Sequence, residues 1–92
     1  MELMLTLDER SVTPLQRQLY DELRQAILSG RLGAGCRVPS TRMLAQQLGV
    51  SRTTLTQGYE QLLSEGYLEA ARGAGTFVCR ELPESVSKNP YF

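Results

Sequence analysis

The side chains best suited to bind another molecule are concentrated between residues 51 and 60. A helix over this stretch shows solvent a row of mostly small polar groups: Ser51, Arg52, Thr53, Thr56, Gln57 and Glu60. Hydroxyls, an amide and an arginine are the groups that hydrogen-bond to base edges and phosphates. For a helix considered alone, a solvated polar face beside a good N-cap is the more common explanation. The neighbouring elements therefore decide between the two interpretations.

Residues 39–67 predict two helices around a tight turn. Ser40 and Ser51 are suited to cap the two helices, because a serine hydroxyl accepts from a free backbone N–H of the first turn. Gly49 and Gly66 follow as left-handed C-terminal residues. Apolar residues recur at helical spacing in both helices: Met43, Leu44, Ala45 and Leu48, then Leu55, Tyr59, Leu62 and Leu63. The pattern is typical of a helix-turn-helix, whose second helix enters the DNA major groove by its N-terminal end.

A supporting helix is predicted upstream of this pair. Thr13 is placed to cap it, Pro14 suits its first position, and Gln16 can complete a capping box. Every fourth residue is then apolar, and Gly30 closes the helix; the apolar residues are Leu15, Leu19, Leu23 and Ile27. Such a stripe is far more often packing than a ligand site.

A β-hairpin is predicted after the second helix of the pair. Strands over 67–71 and 76–80 flank the turn 72–75, where glycine supplies positive φ. Following a helix-turn-helix, this hairpin is the wing of a winged helix. Arg72 is then placed to reach DNA backbone or the minor groove, and Gly73 allows close approach; the alternative is an ordinary hairpin with a solvated arginine. Upstream, Arg37 and Val38 can form a brief strand.

Charge is distributed unevenly along a chain whose net charge is zero. Residues 23–59 hold five arginines and no acidic residue: Arg24, Arg31, Arg37, Arg42 and Arg52. The ten acidic residues all lie outside this segment. Because the basic segment overlaps the helix pair, it predicts a local positive patch suited to nucleic acid on a neutral body.

Composition argues against other classes of protein. The 92 residues contain no histidine, and no metal-ligand cluster or phosphate-binding loop is present, so an enzyme is not expected. Cys36 and Cys79 do not make a disulfide framework, and there is no signal peptide or long apolar run. We therefore expect a soluble cytoplasmic protein in which both cysteines act as small apolar residues. A thiol switch between them is the alternative.

The predicted fold is mainly α with a small β-hairpin, a winged helix-turn-helix of three helices plus a wing. It covers residues 13–80, after a leader of uncertain order over 1–12, in which Leu3, Leu5 and Leu7 can form a short extended piece. Residues 81–92 are predicted to be a linker or tail toward a missing effector domain.

Gly58 lies in the interior of a predicted helix, where glycine costs about 1 kcal/mol relative to alanine. Close contact with a neighbouring helix would explain this glycine, although a neutral exception is also possible.

These motifs together resemble the DNA-binding domain of GntR-type bacterial transcription regulators. The resemblance rests on segments in the same order over residues 13–80: Leu28–Leu32, Gly35–Ala45, Leu48–Thr54, Tyr59–Leu62, Glu65–Leu68 and Gly73–Val78. The opening Pro14–Tyr20 and the Gly-Thr-Phe-Val ending are most similar to the MocR branch. In that branch a winged helix precedes a domain resembling a pyridoxal-phosphate aminotransferase.

The resemblance implies particular residues and partners. The family's DNA contacts carry over to Arg42, Ser51, Arg52, Thr53, Thr54, Arg72 and Gly73, and the solvent-facing row adds Thr56 and Gln57. Three departures matter: Val38 replaces the usual leucine, Gly58 the usual alanine, and Thr56 a longer basic residue of some members. The implied partner is a double-stranded DNA operator, bound by a homodimer of the full-length parent. No cofactor is expected in this chain, although pyridoxal phosphate is possible in a missing C-terminal domain. The alternative function is a winged-helix protein–protein interaction module.

Overall fold

A computed structural model describes residues 5–82. Its elements follow the chain in the order α1 (Leu15–Leu28), α2 (Thr41–Leu48), α3 (Arg52–Glu65), β1 (Leu68–Ala71) and β2 (Gly75–Val78). The predicted class, three helices followed by a two-stranded antiparallel hairpin, is confirmed. No helix within this described range is long and apolar enough to cross a membrane.

The ends of α2 and α3 form as their local sequences predict. Ser40 accepts a hydrogen bond from the Met43 amide at 3.1 Å, which caps α2. Gly49 ends α2 with φ 72°, and Gly66 ends α3 with φ 91°. Both angles lie in the left-handed region that a residue with a Cβ disfavours. The turn between the two helices is therefore fixed by the residues within it.

The predicted start of α1 is wrong in its detail. Pro14 occupies the N-cap position, and no side chain caps the helix. Gln18 instead joins the helix to the segment before it: its side-chain amide donates to the Thr13 carbonyl at 2.7 Å and to the Asp8 carbonyl at 2.8 Å. This bond ties the preceding segment to α1, and Leu5 and Leu7 pack half-buried against the core without forming a strand. Leu3 lies outside the described residues, as does most of the predicted tail, residues 83–92.

The core lies between α1, α2, α3 and the base of the hairpin. Its largest fully buried side chains are Leu19, Leu23, Leu32, Leu44, Leu55, Leu62 and Val78. The expected contribution of Met43 is wrong, because its side chain is 64% exposed. At 3.6 residues per turn, Met43 points about 150° away from the middle of the stripe formed by Leu44, Ala45 and Leu48.

Close packing of α1 against α3 explains Gly58. This glycine is buried, and a Cβ added to it would lie 2.8 Å from the Leu19 Cδ2 atom. Leu19 is itself fully buried and has little room to retreat. The sequence-based interpretation of Gly58 as a point of close helix contact is therefore confirmed.

The hairpin is shifted slightly from its predicted limits and gains a third segment. Leu68 pairs with Val78 and Ala71 with Gly75, so β2 begins one residue earlier than predicted and ends two residues earlier. Arg37 forms a bridge with Phe77, and the Val38 amide donates to the Thr76 carbonyl at 2.9 Å. The brief strand predicted at Arg37 and Val38 is present as this bridge, which joins the approach to α2 to the wing.

Candidate nucleic-acid interface

The first turn of α3 is held by a serine–threonine cap. Ser51 has extended φ and ψ, and its hydroxyl accepts from the Thr54 amide at 3.2 Å. The hydroxyl oxygens of Ser51 and Thr54 also lie 3.0 Å apart, within hydrogen-bond distance. Two of the predicted contact hydroxyls therefore already have partners inside the protein. These internal hydrogen bonds fix the direction in which the N-terminus of α3 points.

The remaining predicted residues of α3 face solvent. Arg52, Thr53, Thr56 and Gln57 are exposed, while Leu55 on the other side of the helix is fully buried. Within residues 5–82, none of these four polar side chains makes a hydrogen bond or an ion pair. Their donors and acceptors are therefore available to an external partner.

The first turn of α2 adds a second cationic group. Arg42 is exposed there, close behind the Ser40 cap. Neither α2 nor α3 carries an acidic residue in its first turn. The unpaired amides and positive dipole end of each helix are thus not neutralised from within, an arrangement that favours an approaching anion.

The wing tip carries Arg72 and Gly73, which are both exposed. Gly73 has φ 76°, and a Cβ built on it would meet no atom within 4 Å. The backbone angle, rather than crowding inside the protein, explains this glycine. The loop therefore projects from the body with an arginine at its tip.

Arginines on α1 differ from those near the predicted interface. Arg17 lies 3.4 Å from the Asp21 carboxylate, and Arg24 donates to the Tyr67 hydroxyl at 2.9 Å. Over the described part of the chain, Arg42, Arg52 and Arg72 have no such partner. Unpaired guanidinium groups retain their full capacity for forked bonds to phosphate or guanine.

A hydrogen bond from α3 to the start of α2 fixes the helix pair. The buried Tyr59 hydroxyl donates to the Pro39 carbonyl at 2.5 Å, and burial raises the pKa of this phenol. At the C-terminal end of α3, the Tyr20 hydroxyl donates to the Glu65 carboxylate. This bond lowers the pKa of Glu65, while burial and the same bond raise the pKa of Tyr20 to about 12. These two bonds anchor α3 at its middle and at its C-terminal end.

Neither a reactive thiol nor a metal site is indicated by the described residues. Cys36 and Cys79 are half-buried free thiols, and burial raises the pKa of Cys79, which disfavours its reactive thiolate. Across residues 5–82, no three His, Cys, Asp or Glu side chains are grouped so that they could hold a metal ion.

One arginine near the candidate interface, Arg37, is absent from the site predicted from the sequence. The sequence predicts Arg37 as part of a short strand and of the basic segment, and the structure places it in the lining of a depression with Ser40, Gly75 and Thr76. Its place among the five arginines of residues 23–59 was the signal available. None of the nine predicted site residues lines this depression.

Comparison with known proteins identifies the family. Residues 15–78 match the family model described as bacterial regulatory proteins, gntR family. The chain is 50% identical over 84 residues to the probable rhizopine catabolism regulatory protein MocR of Rhizobium meliloti, covering 91% of this chain and 17% of that protein. It is 40% identical over 81 residues to the pyridoxine biosynthesis transcriptional regulator PdxR of Corynebacterium glutamicum, covering 88% and 18% of the two chains. It thus spans about a sixth of the length of these curated relatives.

Solved structures agree with this relationship. YtrA from Sulfolobus acidocaldarius, a GntR-family transcription factor, superposes with a TM-score of 0.80 at 30% identity, covering 90% of this chain and 87% of that one. The AraR DNA-binding domain in complex with operator ORX1 superposes with a TM-score of 0.74 at 29% identity, covering 86% and 99%. The chain belongs to the GntR family of bacterial regulatory proteins and is similar to its MocR branch.

Proposed function

We propose that this chain is the sequence-specific DNA-binding domain of a GntR-type transcription regulator of the MocR branch. The observation that carries the proposal is the exposed group Arg52, Thr53, Thr56 and Gln57 in the first two turns of α3, whose side chains have no partner within the described residues. The fold it shares with the AraR DNA-binding domain, which was crystallised with operators, supports the same function.

In this proposal α3 enters the major groove by its first two turns. Arg52, Thr53 and Thr54 contact bases or adjacent phosphates, with Ser51 holding the cap, while Thr56 and Gln57 extend the contact along the groove. Thr56 is shorter than a basic side chain, so its reach is limited to a base edge close to the helix.

Two further contacts lie outside α3. Arg42 binds a phosphate beside the start of α2, where the dipole and free amides assist it. On the wing, Arg72 reaches the backbone or the minor groove, and Gly73 lets the loop backbone come close. These contacts position the domain, whereas the base contacts of α3 select the sequence.

We further propose that this domain acts within a larger cytoplasmic regulator. The MocR and PdxR relatives are several times longer than this chain, which supports an additional effector region. The parent is expected to bind paired half-sites as a homodimer. Pyridoxal phosphate, if the parent uses it, would bind in that additional region rather than in these residues.

Selection of bound duplexes from a random pool, followed by a salt titration on the selected duplex, tests this function. The selection should converge on one sequence, and affinity should fall steeply with salt because each phosphate contact releases a counterion. A pool that stays random, with no salt-sensitive binding to any duplex, would favour the protein–protein interaction module instead.

A further inference from the structure

A depression lies between the start of α2 and the base of the wing. It has a volume of about 190 Å³ and is lined by Arg37, Val38, Ser40, Thr41, Tyr59, Gly75 and Thr76. An adjoining depression of about 340 Å³ shares Arg37, Val38 and Ser40 with it. Arg37 is the charged residue among the linings of both. The described surface therefore has a groove beside the wing with a guanidinium in its wall.

The Arg37 side chain lies beside the base of the wing. Arg37 is paired with Phe77 across the bridge, and its Nε atom lies 2.7 Å from the position a Cβ on Gly75 would take. Gly75 has φ 118°, a backbone angle that favours glycine. Because Gly75 has no side chain, the space beside its Cα is left to the guanidinium of Arg37.

The charge of Arg37 is nevertheless uncompensated. The residue is exposed, and among residues 5–82 it makes no ion pair or hydrogen bond. Glu69 is paired with Phe77 from the opposite side of β2, and no ion pair joins it to Arg37 within residues 5–82. The other polar side chains lining the depression are the hydroxyls of Ser40, Thr41, Tyr59 and Thr76. An anion is the partner that suits this combination.

The grooves of a duplex determine which anion would arrive there. Neighbouring major and minor grooves are separated by one sugar–phosphate strand, so a protein that fills both must straddle that strand. The depression lies between α2, the Tyr59 side of α3 and the wing. A phosphate strand crossing from the helix to the wing would pass over it.

We propose that Arg37 binds a DNA phosphate on the strand that separates the groove read by α3 from the groove reached by the wing. This inference rests on the proposed function and adds to it a contact residue that positions the wing. Gly75 supports the contact by leaving room for the guanidinium. Because the ligand is a phosphate, Arg37 contributes affinity without sequence preference.

Salt titrations of Arg37→Gln on the selected duplex and on a scrambled duplex test the proposal. Affinity should fall about three- to tenfold on both, and the slope of log affinity against log salt should decrease by about 0.9. Arg37→Lys should recover the slope, since a lysine ammonium also binds phosphate. Arg17→Gln removes the same charge from an ion pair on α1 and should leave the slope unchanged.

A methylphosphonate scan locates the phosphate. Neutralising one phosphate at a time should reveal a position that weakens the wild-type protein but no longer affects Arg37→Gln. Should Arg37→Gln fail to fold in a thermal melt, Arg37→Met, which also lacks the charge but keeps an unbranched aliphatic side chain, takes its place in the scan and the salt titration. An unchanged salt slope, or no position at which sensitivity disappears, overturns the role of Arg37. If Arg37→Gln has no effect but Arg52→Ala still weakens binding to the selected duplex, the role of Arg37 is overturned and the proposed function stands.

Discussion

Replacing Arg52 with alanine is expected to weaken binding to the selected duplex by about 1–3 kcal/mol, roughly 5- to 150-fold. Arg52 is the first residue of α3, is exposed, and has no partner among the described residues. Removing its side chain therefore breaks no interaction within the described residues. The whole effect of the substitution should appear in the affinity for DNA. Fluorescence anisotropy at fixed salt measures it.

Two comparisons make the Arg52 result specific. Arg17→Ala also removes an arginine, but from an ion pair on α1, and should leave affinity within about twofold since exposed pairs contribute little. A loss confined to the selected duplex identifies a base contact, whereas an equal loss on a scrambled duplex identifies a phosphate contact. Affinity unchanged on both duplexes would remove Arg52 from the interface.

Replacing Gly58 with valine is expected to destabilise the fold by about 2 kcal/mol, since overpacking a filled core typically costs about 1–3 kcal/mol. The first added carbon alone would lie 2.8 Å from Leu19 Cδ2, and Leu19 is fully buried. The few tenths of a kcal/mol that valine gains over glycine in helix propensity offset only part of this cost. A thermal melt should show a midpoint lowered by about 10 °C.

Ser64→Val is the matched control for this change. Ser64 lies on the same helix but is exposed, so the same side chain there should change stability by less than about 0.5 kcal/mol. Gly58→Ala should fall between the two, because a propensity gain of about 1 kcal/mol opposes the contact of a single methyl group with Leu19. If Gly58→Val has the same melting midpoint as the wild type, the distance between α1 and α3 is not set by this glycine.

Features governed by neighbouring residues were predictable from the sequence. The caps at Ser40 and Ser51 and the left-handed glycines at 49 and 66 each depend on a few residues, and all four form as expected. The exposed row of α3 follows from helical period once the buried side containing Leu55 is recognised. The sequence alone therefore predicts the helix-turn-helix and the side of α3 that faces solvent.

Features governed by distant residues were not predictable in the same way. At the start of α1 the cap expected from Thr13 does not form, and Gln18 reaches back to the Asp8 carbonyl, ten residues earlier in the chain. The proximity of Arg37 to Gly75 joins residues far apart in the chain, and the bridge to Phe77 and the hydrogen bond from Val38 to Thr76 bring them together. The position of Arg37 beside the wing depends on such tertiary contacts, which local rules do not encode.

Amide chemical-shift mapping with the selected duplex tests most directly whether the N-terminal end of α3 is the surface that meets DNA. We expect the largest ¹H–¹⁵N shifts at Arg52, Thr53, Thr56 and Gln57, with further shifts at the wing tip, while the Arg17–Asp21 surface of α1 stays unchanged. Shifts centred on α1, with the first two turns of α3 unaffected at saturating duplex, would contradict it.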